Sequence, residues 1–459
     1  MPWDVQSQPS DPSGSARPRK IAVIGGGISG LSCAWLLGQR HSVTIFEANG
    51  YAGGHSNTVE VDGPGGPVAV DTGFIVYNEV NYPNLVALFD HLHVPTAGSD
   101  MSFGVSVAEG ALEYAGTDLN GLFAQRRNIV RPRFWRMIAD IVRFYREAPA
   151  LLGDPAAESI TLGDYLDANR YSKTFIDDHL LPMAAAIWSA PVDEMRRHPA
   201  QAFVRFCASH GLLKISDRPQ WRTVRGGSRE YVRRLLAGFD HEMRLGDPVV
   251  AVERPGSGAI VRTRSGRADR FDAVVLATHA DQALELLVDA DGSEHDVLGA
   301  FPYQENQAVL HSDPALMPRR RAVWSSWNFL KSSNPGEQDT VCVSYWMNRL
   351  QPLDTAMPLF VTLNPDRPIA DDTIHRTFQY HHPVFDHRSP AAQRRIWSLQ
   401  GQRDTWFCGS YFGAGFHEDG LQSGLAVAEL LGGVRRPWTV ADESGRIALP
   451  AASALADAA

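Results

Sequence analysis

Cysteine is scarce in this sequence, and no two cysteines have the spacing of a metal-binding motif. The 459 residues include four cysteines, which are Cys33, Cys207, Cys342 and Cys408. We expect these thiols to be reduced and buried, as is usual for free cysteine in a cytoplasmic protein. The sequence also lacks a His-x-x-x-His segment and a carboxylate cluster, so it predicts no metal site.

Long apolar runs and an excess of positive charge are absent as well. No uninterrupted apolar segment reaches the about 18 residues that span a bilayer, and the N-terminal region lacks the apolar stretch of a signal peptide. Residues 1–19 are rich in proline, serine and glycine and are predicted to be a disordered tail, and the alanine-rich end after Ala451 is predicted to be frayed. The formal net charge of -9 argues against nucleic-acid binding.

A glycine-rich segment near the N-terminus has the pattern of a dinucleotide-binding turn. An apolar strand from Lys20 leads into Gly25-x-Gly27-x-x-Gly30, and a helix is predicted over 28–37. Gly25 permits the tight turn, Gly27 lets the backbone approach a pyrophosphate, and Gly30 lets the helix pack close to the strand. A second strand over 42–46 ends at Glu47, about 20 residues beyond the turn, where a carboxylate can bind a ribose diol.

Two later segments indicate that the dinucleotide contains a flavin. Gly53 and Gly54 form a second glycine pair, which lets the backbone approach a bulky ligand. Near the other end of the chain, a strand is predicted over 405–409 and a helix over 420–431. The N-terminus of that helix would face the electron-rich edge of a flavin ring, where its dipole stabilises negative charge.

The cofactor-binding elements are scattered along the chain rather than contiguous. A turn into a helix is predicted over 225–235, followed by a strand over 248–252, a hairpin through 257–259 and a buried strand over 271–278. The segment 82–215 is predicted to be mostly helical, and 300–400 to alternate short strands with proline-rich turns. These two segments would form a cap over the cofactor.

Together these motifs resemble the flavin-containing amine oxidase and carotenoid desaturase superfamily. The resemblance implies an α/β fold, in which a Rossmann-like FAD-binding domain of the amine-oxidase type is interleaved with an α+β substrate or cap domain. The FAD-binding parts are expected at 20–81, 216–299 and 401–435, and the cap at 82–215 and 300–400. A tail over 1–19 precedes them, and a C-terminal tail over 436–459 follows. The expected cofactor contacts are Gly25, Gly27, Ile28, Ser29, Gly30, Glu47, Gly53, Gly54, His55, Ser56, Val250, Gly409, Gly420, Leu421 and Ser423.

Seven longer motifs are similar to a narrower group, the FAD-dependent oxidoreductases encoded beside bacterial cyclopropane-fatty-acid synthases. The motifs span 54–58, 71–74, 100–103, 187–189, 218–224, 324–328 and 415–420. Three departures from the amine oxidases make amine oxidation less favoured. His55 replaces the usual Arg after the glycine pair, and Ser410 replaces an acidic residue. Tyr411 and Phe412 correspond only by analogy to the aromatic pair that flanks an amine.

The resemblance implies a lipid acyl chain as substrate, dehydrogenated by hydride transfer to the flavin, with a cyclopropane-synthase-like methyltransferase as functional partner. His417 and Tyr411 precede the helix that should face the flavin, so they are the candidate catalytic acid or base. His55, His279 and His381 are expected near the cofactor as well. Two alternatives remain. One is an oxidase of an amine or a polyprenyl compound, and the other is a flavoprotein that assists the methyltransferase without turnover.

A basic segment suggests which surface of the protein would face a membrane that supplies a lipid substrate. From Arg126 to Glu147 there are seven arginines against Asp140 and Glu147. Phe134, Ile138, Ile141, Val142 and Tyr145 share one face of the predicted helix. Such a helix suits the inner face of an anionic membrane, although its apolar stripe could instead pack on the core. Arg319–Arg321 with Trp324, Trp327 and Phe329 repeat the mixture of basic and aromatic residues.

Overall fold

The computed structural model describes residues 17–188, 190–215, 217–331 and 342–449. Most of the predicted N-terminal tail, Ser189 of one motif and the alanine-rich end after Ala451 lie outside the described residues. The strands are β1 Lys20–Ile24, β2 Ser42–Glu47, β3 Thr58–Gly63, β4 Gly66–Asp71, β5 Tyr77–Asn78, β6 Thr96–Ser99, β7 Phe103–Val107, β8 Leu112–Ala115, β9 Trp221–Val224, β10 Glu242–Leu245, β11 Val249–Glu253, β12 Ala259–Thr263, β13 Ala268–Phe271, β14 Ala273–Leu276, β15 Tyr303–His311, β16 Trp327–Lys331, β17 Cys342–Trp346, β18 Phe360–Leu363, β19 Ile374–Pro383 and β20 Thr405–Phe407.

The helices alternate with these strands in the nucleotide-binding parts and cluster between β8 and β9. They are α1 Ile28–Leu37, α2 Pro83–His91, α3 Leu119–Leu122, α4 Pro132–Glu147, α5 Leu162–Ala168, α6 Lys173–Phe175, α7 Leu181–Trp188, α8 Val192–Arg197, α9 Ala200–Ser209, α10 Arg229–Leu236, α11 Ala280–Leu286, α12 Gly292–Leu298, α13 Met347–Leu350, α14 Ser389–Arg395 and α15 His417–Leu430. A π-helical turn, Ile176–Leu180, joins α6 to α7.

A five-stranded parallel sheet with the order β10-β2-β1-β14-β20 forms the nucleotide-binding part. The apolar runs of β1 and β14 are buried in the core of this domain, together with residues of α1, α15 and β11–β13. The carboxyl ends of β1, β2, β14 and β20 lie at one edge, where ligands bind in open α/β sheets. The predicted Rossmann-like fold is thus confirmed.

The cap is built on a seven-stranded sheet with the order β19-β15-β18-β17-β16-β7-β8. Its strands are antiparallel except for β7, which pairs in parallel with β16. The segment 82–215 is mostly helical, as predicted, and also contributes β6, β7 and β8. One expectation needed correction. Within 300–400, β15 and β19 are not short, since they run for 9 and 10 residues and pair along almost their whole length.

Residues 436–449 pack on the nucleotide-binding domain, within the segment expected to be a C-terminal tail. The Arg436 guanidinium is buried between the Glu429 carboxylate, at 2.8 Å, and the Asn84 side chain, at 2.9 Å. Arg446 binds the Asp419 carboxylate at 2.7 Å. This segment therefore secures the C-terminal part of the fold.

All four cysteines are buried free thiols, as expected. Burial raises the pKa of Cys33, Cys207 and Cys342 above the ordinary value of a thiol, so these groups stay protonated and unreactive. Cys408 lies directly after β20 and is fully buried.

The basic helix exists as α4, and most of its apolar stripe packs into the cap. Phe134 is buried, and Ile138, Ile141 and Tyr145 pack against the cap core, which supports the core-packing interpretation for this stripe. Val142 remains 46% exposed. No helix in the described part of the chain is both long and apolar enough to cross a membrane.

Candidate active site

The first glycine turn forms a cradle at the carboxyl edge of the parallel sheet. Gly25 has a φ of +112°, and a Cβ there would lie 2.6 Å from the Ala277 carbonyl oxygen, so only glycine fits. Gly27 is the N-cap residue of α1, and a Cβ built on it has no heavy atom within 4 Å. The space in front of the α1 amides is therefore open, as a pyrophosphate group requires.

The second glycine pair lies directly against the first turn. The Gly53 amide donates to the Gly26 carbonyl oxygen at 2.7 Å, and Gly53 pairs with Gly27 as a short parallel bridge. A Cβ on Gly54 would lie 3.1 Å from the Gly27 Cα atom. Two backbone segments without side chains thus form one wall of the cleft.

Glu47 is held rigidly at the end of β2. Its Oε2 atom accepts the Gly26 amide at 2.8 Å, and its Oε1 atom accepts the backbone and side-chain N–H groups of Asn49, each at 2.8 Å. The carboxylate lines the cleft beside the cradle. Its location fits the predicted contact with a ribose.

The second helix N-terminus begins three residues earlier than the sequence suggested. The Asp419 carboxylate accepts the amides of Ala414 and Phe416, at 3.1 and 2.7 Å, and so starts α15 at His417. Gly420, Leu421 and Ser423 consequently lie inside the helix and are buried. The Ser423 hydroxyl accepts the Gly409 amide at 3.0 Å, which fixes the strand end beside the helix.

His417 lies at the first position of α15 and faces the cleft. Its ring stacks on Phe74 at 3.8 Å between centroids, and its Nε2 atom lies 2.7 Å from the Tyr231 hydroxyl. That hydroxyl also bonds the Ser56 hydroxyl at 2.5 Å. Burial lowers the pKa of His417 to about 3. His417 is therefore a neutral, doubly anchored ring, which is a weak base at neutral pH.

Tyr411 lines the cleft with a buried hydroxyl that has no hydrogen-bond partner among the described residues. Its ring packs on Phe301 at 5.3 Å. Burial raises its pKa well above that of an ordinary tyrosine. Tyr411 can therefore donate a hydrogen bond to a bound group, but it cannot act as a base.

His55 belongs to a second group of aromatic rings that line the cleft. It stacks on Tyr380 at 4.9 Å and lies 5.5 Å from the His382 ring. The Tyr380 hydroxyl is held by Asn57, at 2.9 Å, and by Thr72, at 2.8 Å. Burial lowers the pKa of His55 to about 4, and its Nε2 atom has no partner in the described part of the chain. An unpaired nitrogen in the cleft wall is what a cofactor or substrate contact would satisfy.

A buried carboxylate holds the walls of the cleft together. Asp71, at the end of β4, accepts hydrogen bonds from Thr58, from the amide and hydroxyl of Ser228, and from the Gln351 side chain. Burial raises the pKa of Asp71 to about 6, although the Thr58 and Ser228 hydrogen bonds oppose this shift. Asp71 thereby connects the β3–β4 hairpin, the turn before α10 and the cap.

The predicted site residues divide into two groups. The cleft is lined by Gly25, Gly27, Ile28, Ser29, Glu47, Gly53, Gly54, His55, Gly409, Tyr411 and His417. Gly30, Ser56, Gly420, Leu421 and Ser423 support this wall from behind. Val250 does not reach the cleft, because alternate residues of a strand point to opposite faces; it is 48% exposed, and the neighbouring Val249 lines the cleft instead.

Sequence reasoning assigned no role to Tyr231, Tyr380, His382 or Phe74. Phe74 lies within a motif, 71–74, whose purpose the sequence did not reveal. Tyr380 and His382 are two positions apart on the long strand β19, so their side chains lie on the same face of the strand. The sequence could have predicted this shared face only if the strand had been recognised. Tyr231 carries no signal in the sequence beyond its position after the Gly226–Ser228 turn.

The cleft continues into the cap as one cavity of about 1660 Å³. That volume exceeds the 300–1,000 Å³ typical of one small-molecule pocket, so there is room for a dinucleotide and a substrate. Its cap end is lined by many apolar and aromatic side chains, together with charged and polar ones that include Asp100, His210, Arg218 and Arg349. The apolar lining includes Met101, Phe103, Met183, Ile187, Trp188, Phe206, Leu212, Trp221, Trp327, Tyr345, Phe378 and Phe416.

A parallel sheet, a glycine cradle, a second helix N-terminus and an adjoining substrate chamber define an FAD-dependent oxidoreductase. The residues at the cleft fit the cofactor: the cradle is open in front of Gly27, and Gly53 and Gly54 leave the adjoining wall free of side chains. Residues 28–309 match the family of flavin-containing amine oxidoreductases. The chain belongs to that family.

Several solved structures share this fold. The CLA-producing fatty acid isomerase from P. acnes has a TM-score of 0.65 at 15% identity, covering 91% of this chain and 98% of that one. Cyclohexylamine oxidase from Brevibacterium oxydans has a TM-score of 0.63 at 17% identity, with 90% and 99% coverage. Putrescine oxidase bound to putrescine has a TM-score of 0.61 at 16% identity, with 90% and 98% coverage. These similarities show a common fold.

Proposed function

We propose that this oxidoreductase dehydrogenates the acyl chain of a lipid. The observation that carries the proposal is the cavity itself: the cofactor cradle opens directly into a chamber walled by aromatic and aliphatic side chains. An apolar chain gains free energy on entering such a chamber, because it leaves water. The fold shared with a fatty acid isomerase agrees with this substrate class.

Bound FAD would supply a two-electron acceptor for a hydride from a substrate carbon. Formation of a double bond also requires loss of a proton from the neighbouring carbon. His55 suits the role of proton acceptor better than His417, since the Nε2 atom of His55 is unpaired, whereas that of His417 already bonds Tyr231. The positive end of the α15 dipole lies beside the cleft and would stabilise negative charge there.

The two residues that correspond by analogy to the aromatic pair of amine oxidases do not form a cage for an amine. Tyr411 and Phe412 do not flank an open space, because Phe412 is fully buried and packs on Trp397 at 5.4 Å. Amine oxidation nevertheless remains the second candidate, since two proteins of the same fold oxidise amines, as their names state. A polyprenyl substrate would fit the apolar chamber equally well.

The resemblance to proteins encoded beside cyclopropane-fatty-acid synthases narrows the substrate further. We propose a phospholipid acyl chain, already methylated by a cyclopropane-synthase-like methyltransferase, and that methyltransferase as functional partner. A third candidate follows from the same resemblance: a flavoprotein that assists the methyltransferase without turnover. This version requires FAD binding and complex formation but no reduction of the flavin by any lipid.

The visible absorption spectrum of the purified holoprotein tests these candidates. Phospholipids from a strain that expresses the methyltransferase are added without oxygen, and the matched control is an extract from the same strain without the methyltransferase. Bleaching of the flavin band by the first extract alone supports the proposal. Bleaching by both extracts extends the proposed substrate class to unmethylated acyl chains. A spectrum that stays yellow with lipid but bleaches with an amine or a carotenoid would overturn it.

A further inference from the structure

Exposed apolar side chains and arginines form a patch on the outer surface of the cap. We call it the α3–α4 patch; it consists of Leu119, Ile129, Val130 and Trp135 with Arg126, Arg127, Arg131 and Arg136. Leu119 is 74% and Val130 is 81% exposed, and Ile129 and Trp135 are each 49% exposed. These residues are separate from the apolar stripe of α4, which packs into the cap core.

The α3–α4 patch is a preformed surface. The Trp135 indole N–H donates to the Ile129 carbonyl oxygen at 2.8 Å, and the Trp135 ring lies 5.4 Å from the Phe123 ring. Arg126 donates to the Asn120 side chain at 2.6 Å and to the Phe123 carbonyl oxygen at 3.0 Å. These bonds hold α3, the following turn and the start of α4 together, so the apolar side chains project from one rigid unit.

The charge of the α3–α4 patch is opposite to that of the whole protein. Residues 117–136 contain five arginines and a single acidic residue, Asp118, in a chain whose net charge is -9. The Asp118 carboxylate is already used, since it accepts the Gly121 amide at 2.7 Å as the N-cap of α3. Exposed apolar side chains among arginines are complementary to an anionic lipid headgroup layer and the acyl boundary beneath it.

The α3–α4 patch also adjoins the mouth of the cavity. Gly116, Thr117 and Asp118 line the cavity, are exposed to solvent and directly precede Leu119. A surface that lies against a bilayer at Leu119 would therefore bring the cavity mouth to the lipid.

We propose that the α3–α4 patch docks this protein on the surface of an anionic lipid bilayer, from which an acyl chain enters the cavity beside Asp118. The inference rests on the proposed lipid function for its purpose, but the docking itself needs no turnover. Insertion of Leu119 and Val130 supplies the apolar contribution, and the arginines supply a contribution that salt screens.

Co-sedimentation with vesicles tests the docking. The holoprotein is mixed with vesicles of phosphatidylcholine alone or with phosphatidylglycerol, at low and high salt. We expect binding to the anionic vesicles only, weakened by salt. The double variant Leu119→Asp/Val130→Asp should bind at least roughly tenfold more weakly. The matched control is Val288→Asp, which changes a valine that is 65% exposed on the nucleotide-binding domain and should bind like the unchanged protein.

Other outcomes would overturn the docking. These are no binding of the unchanged protein to anionic vesicles, or equal losses in the double variant and in Val288→Asp. A dimer in solution that the double variant converts to a monomer would assign the patch to a second copy of the chain. Flavin reduction by detergent-dispersed lipid is also measured on the double variant. This reaction does not require docking on a bilayer, so a loss of lipid oxidation can be distinguished from a loss of membrane binding.

Discussion

At the scale of single residues, the cleft depends on glycines, which carry no side chain, as well as on the side chains that line it. Gly25 and Gly27 belong to the same motif but have different physical roles. A side chain at Gly25 would strike the Ala277 carbonyl oxygen, whereas a side chain at Gly27 would enter open space in the cleft. Gly25 is therefore required by the fold, and Gly27 by the ligand.

The contrast predicts a variant that loses the cofactor without losing the fold. Gly27 has a φ of -81°, which threonine adopts easily, and threonine is as good an N-cap residue as glycine. Gly27→Thr should leave the unfolding free energy of the apoprotein within about 0.5 kcal/mol. It should weaken FAD binding roughly 100-fold, since two charge-assisted hydrogen bonds of about 1.5 kcal/mol each are lost.

Urea unfolding of the apoprotein and a fluorescence titration with FAD measure both quantities. The control is Gly65→Thr, at the tip of the β3–β4 hairpin, where a Cβ also meets no atom within 4 Å. Unaltered FAD affinity in Gly27→Thr would show that the pyrophosphate does not lie at this cradle.

At the scale of elements, a few buried polar groups join segments that are far apart in sequence. Asp71 holds the β3–β4 hairpin to the turn before α10, with its carboxylate 2.8 Å from the Ser228 amide. Glu418 holds α15 to the start of α2, where it accepts the Asn84 and Leu85 amides at 3.0 and 2.9 Å. The hydrogen bonds of each carboxylate therefore hold together two elements that are distant in sequence.

Replacement of the Asp71 carboxylate by an amide should destabilise the fold. In Asp71→Asn one oxygen acceptor is replaced by an N–H₂ group that faces the Ser228, Thr58 or Gln351 donors. We expect a loss of about 2 kcal/mol in the free energy of unfolding, because a buried donor is left without an acceptor. Urea unfolding curves measure it, and Asp62→Asn, at an exposed position of the same hairpin, is the control. Equal stability of the two variants would contradict a structural role for Asp71.

At the scale of the whole molecule, buried histidines make stability depend on pH. Burial lowers the pKa of His55, His179 and His198 to about 4, and that of His210, His382 and His417 to about 3. Since a histidine in the unfolded chain titrates near 6.5, the unfolded state binds more protons than the folded state below that pH. Stability is therefore full above about pH 6.5 and falls as the pH decreases. The carboxyls of Asp71, Asp178, Asp281 and Glu418, whose pKa values burial raises, act in the opposite sense.

This linkage predicts acid lability. The urea midpoint of the holoprotein with excess FAD should fall steeply from pH 7 to pH 5. In His210→Gln the pH slope of the free energy of unfolding should be shallower by up to about 1.4 kcal/mol per pH unit. In the control His295→Gln, at an exposed position, that slope should be unchanged. A midpoint that is constant or rises towards pH 5 would contradict the neutral state of these rings.

Local patterns predicted the cofactor, the fold class and the residues of the first cradle, because the strand, turn and helix from Lys20 to Leu37 are adjacent in sequence. The helix predicted over 28–37 is α1 without a change of bounds. The start of α15 was placed too late because Asp419, within the helix, caps it by binding amides outside it. Val250 was chosen instead of Val249 because the face of β11 that meets the cleft depends on its packing against other elements.

Contacts between distant segments depended on the tertiary structure alone. The stack of His55 on Tyr380 joins residues more than 300 positions apart, and no spacing within either segment encodes that pairing. The pairing of β7 with β16 and the union of cradle and chamber in one cavity have the same origin. Sequence patterns report the local rules of strands, turns and helices, whereas a substrate chamber arises from packing of the whole chain.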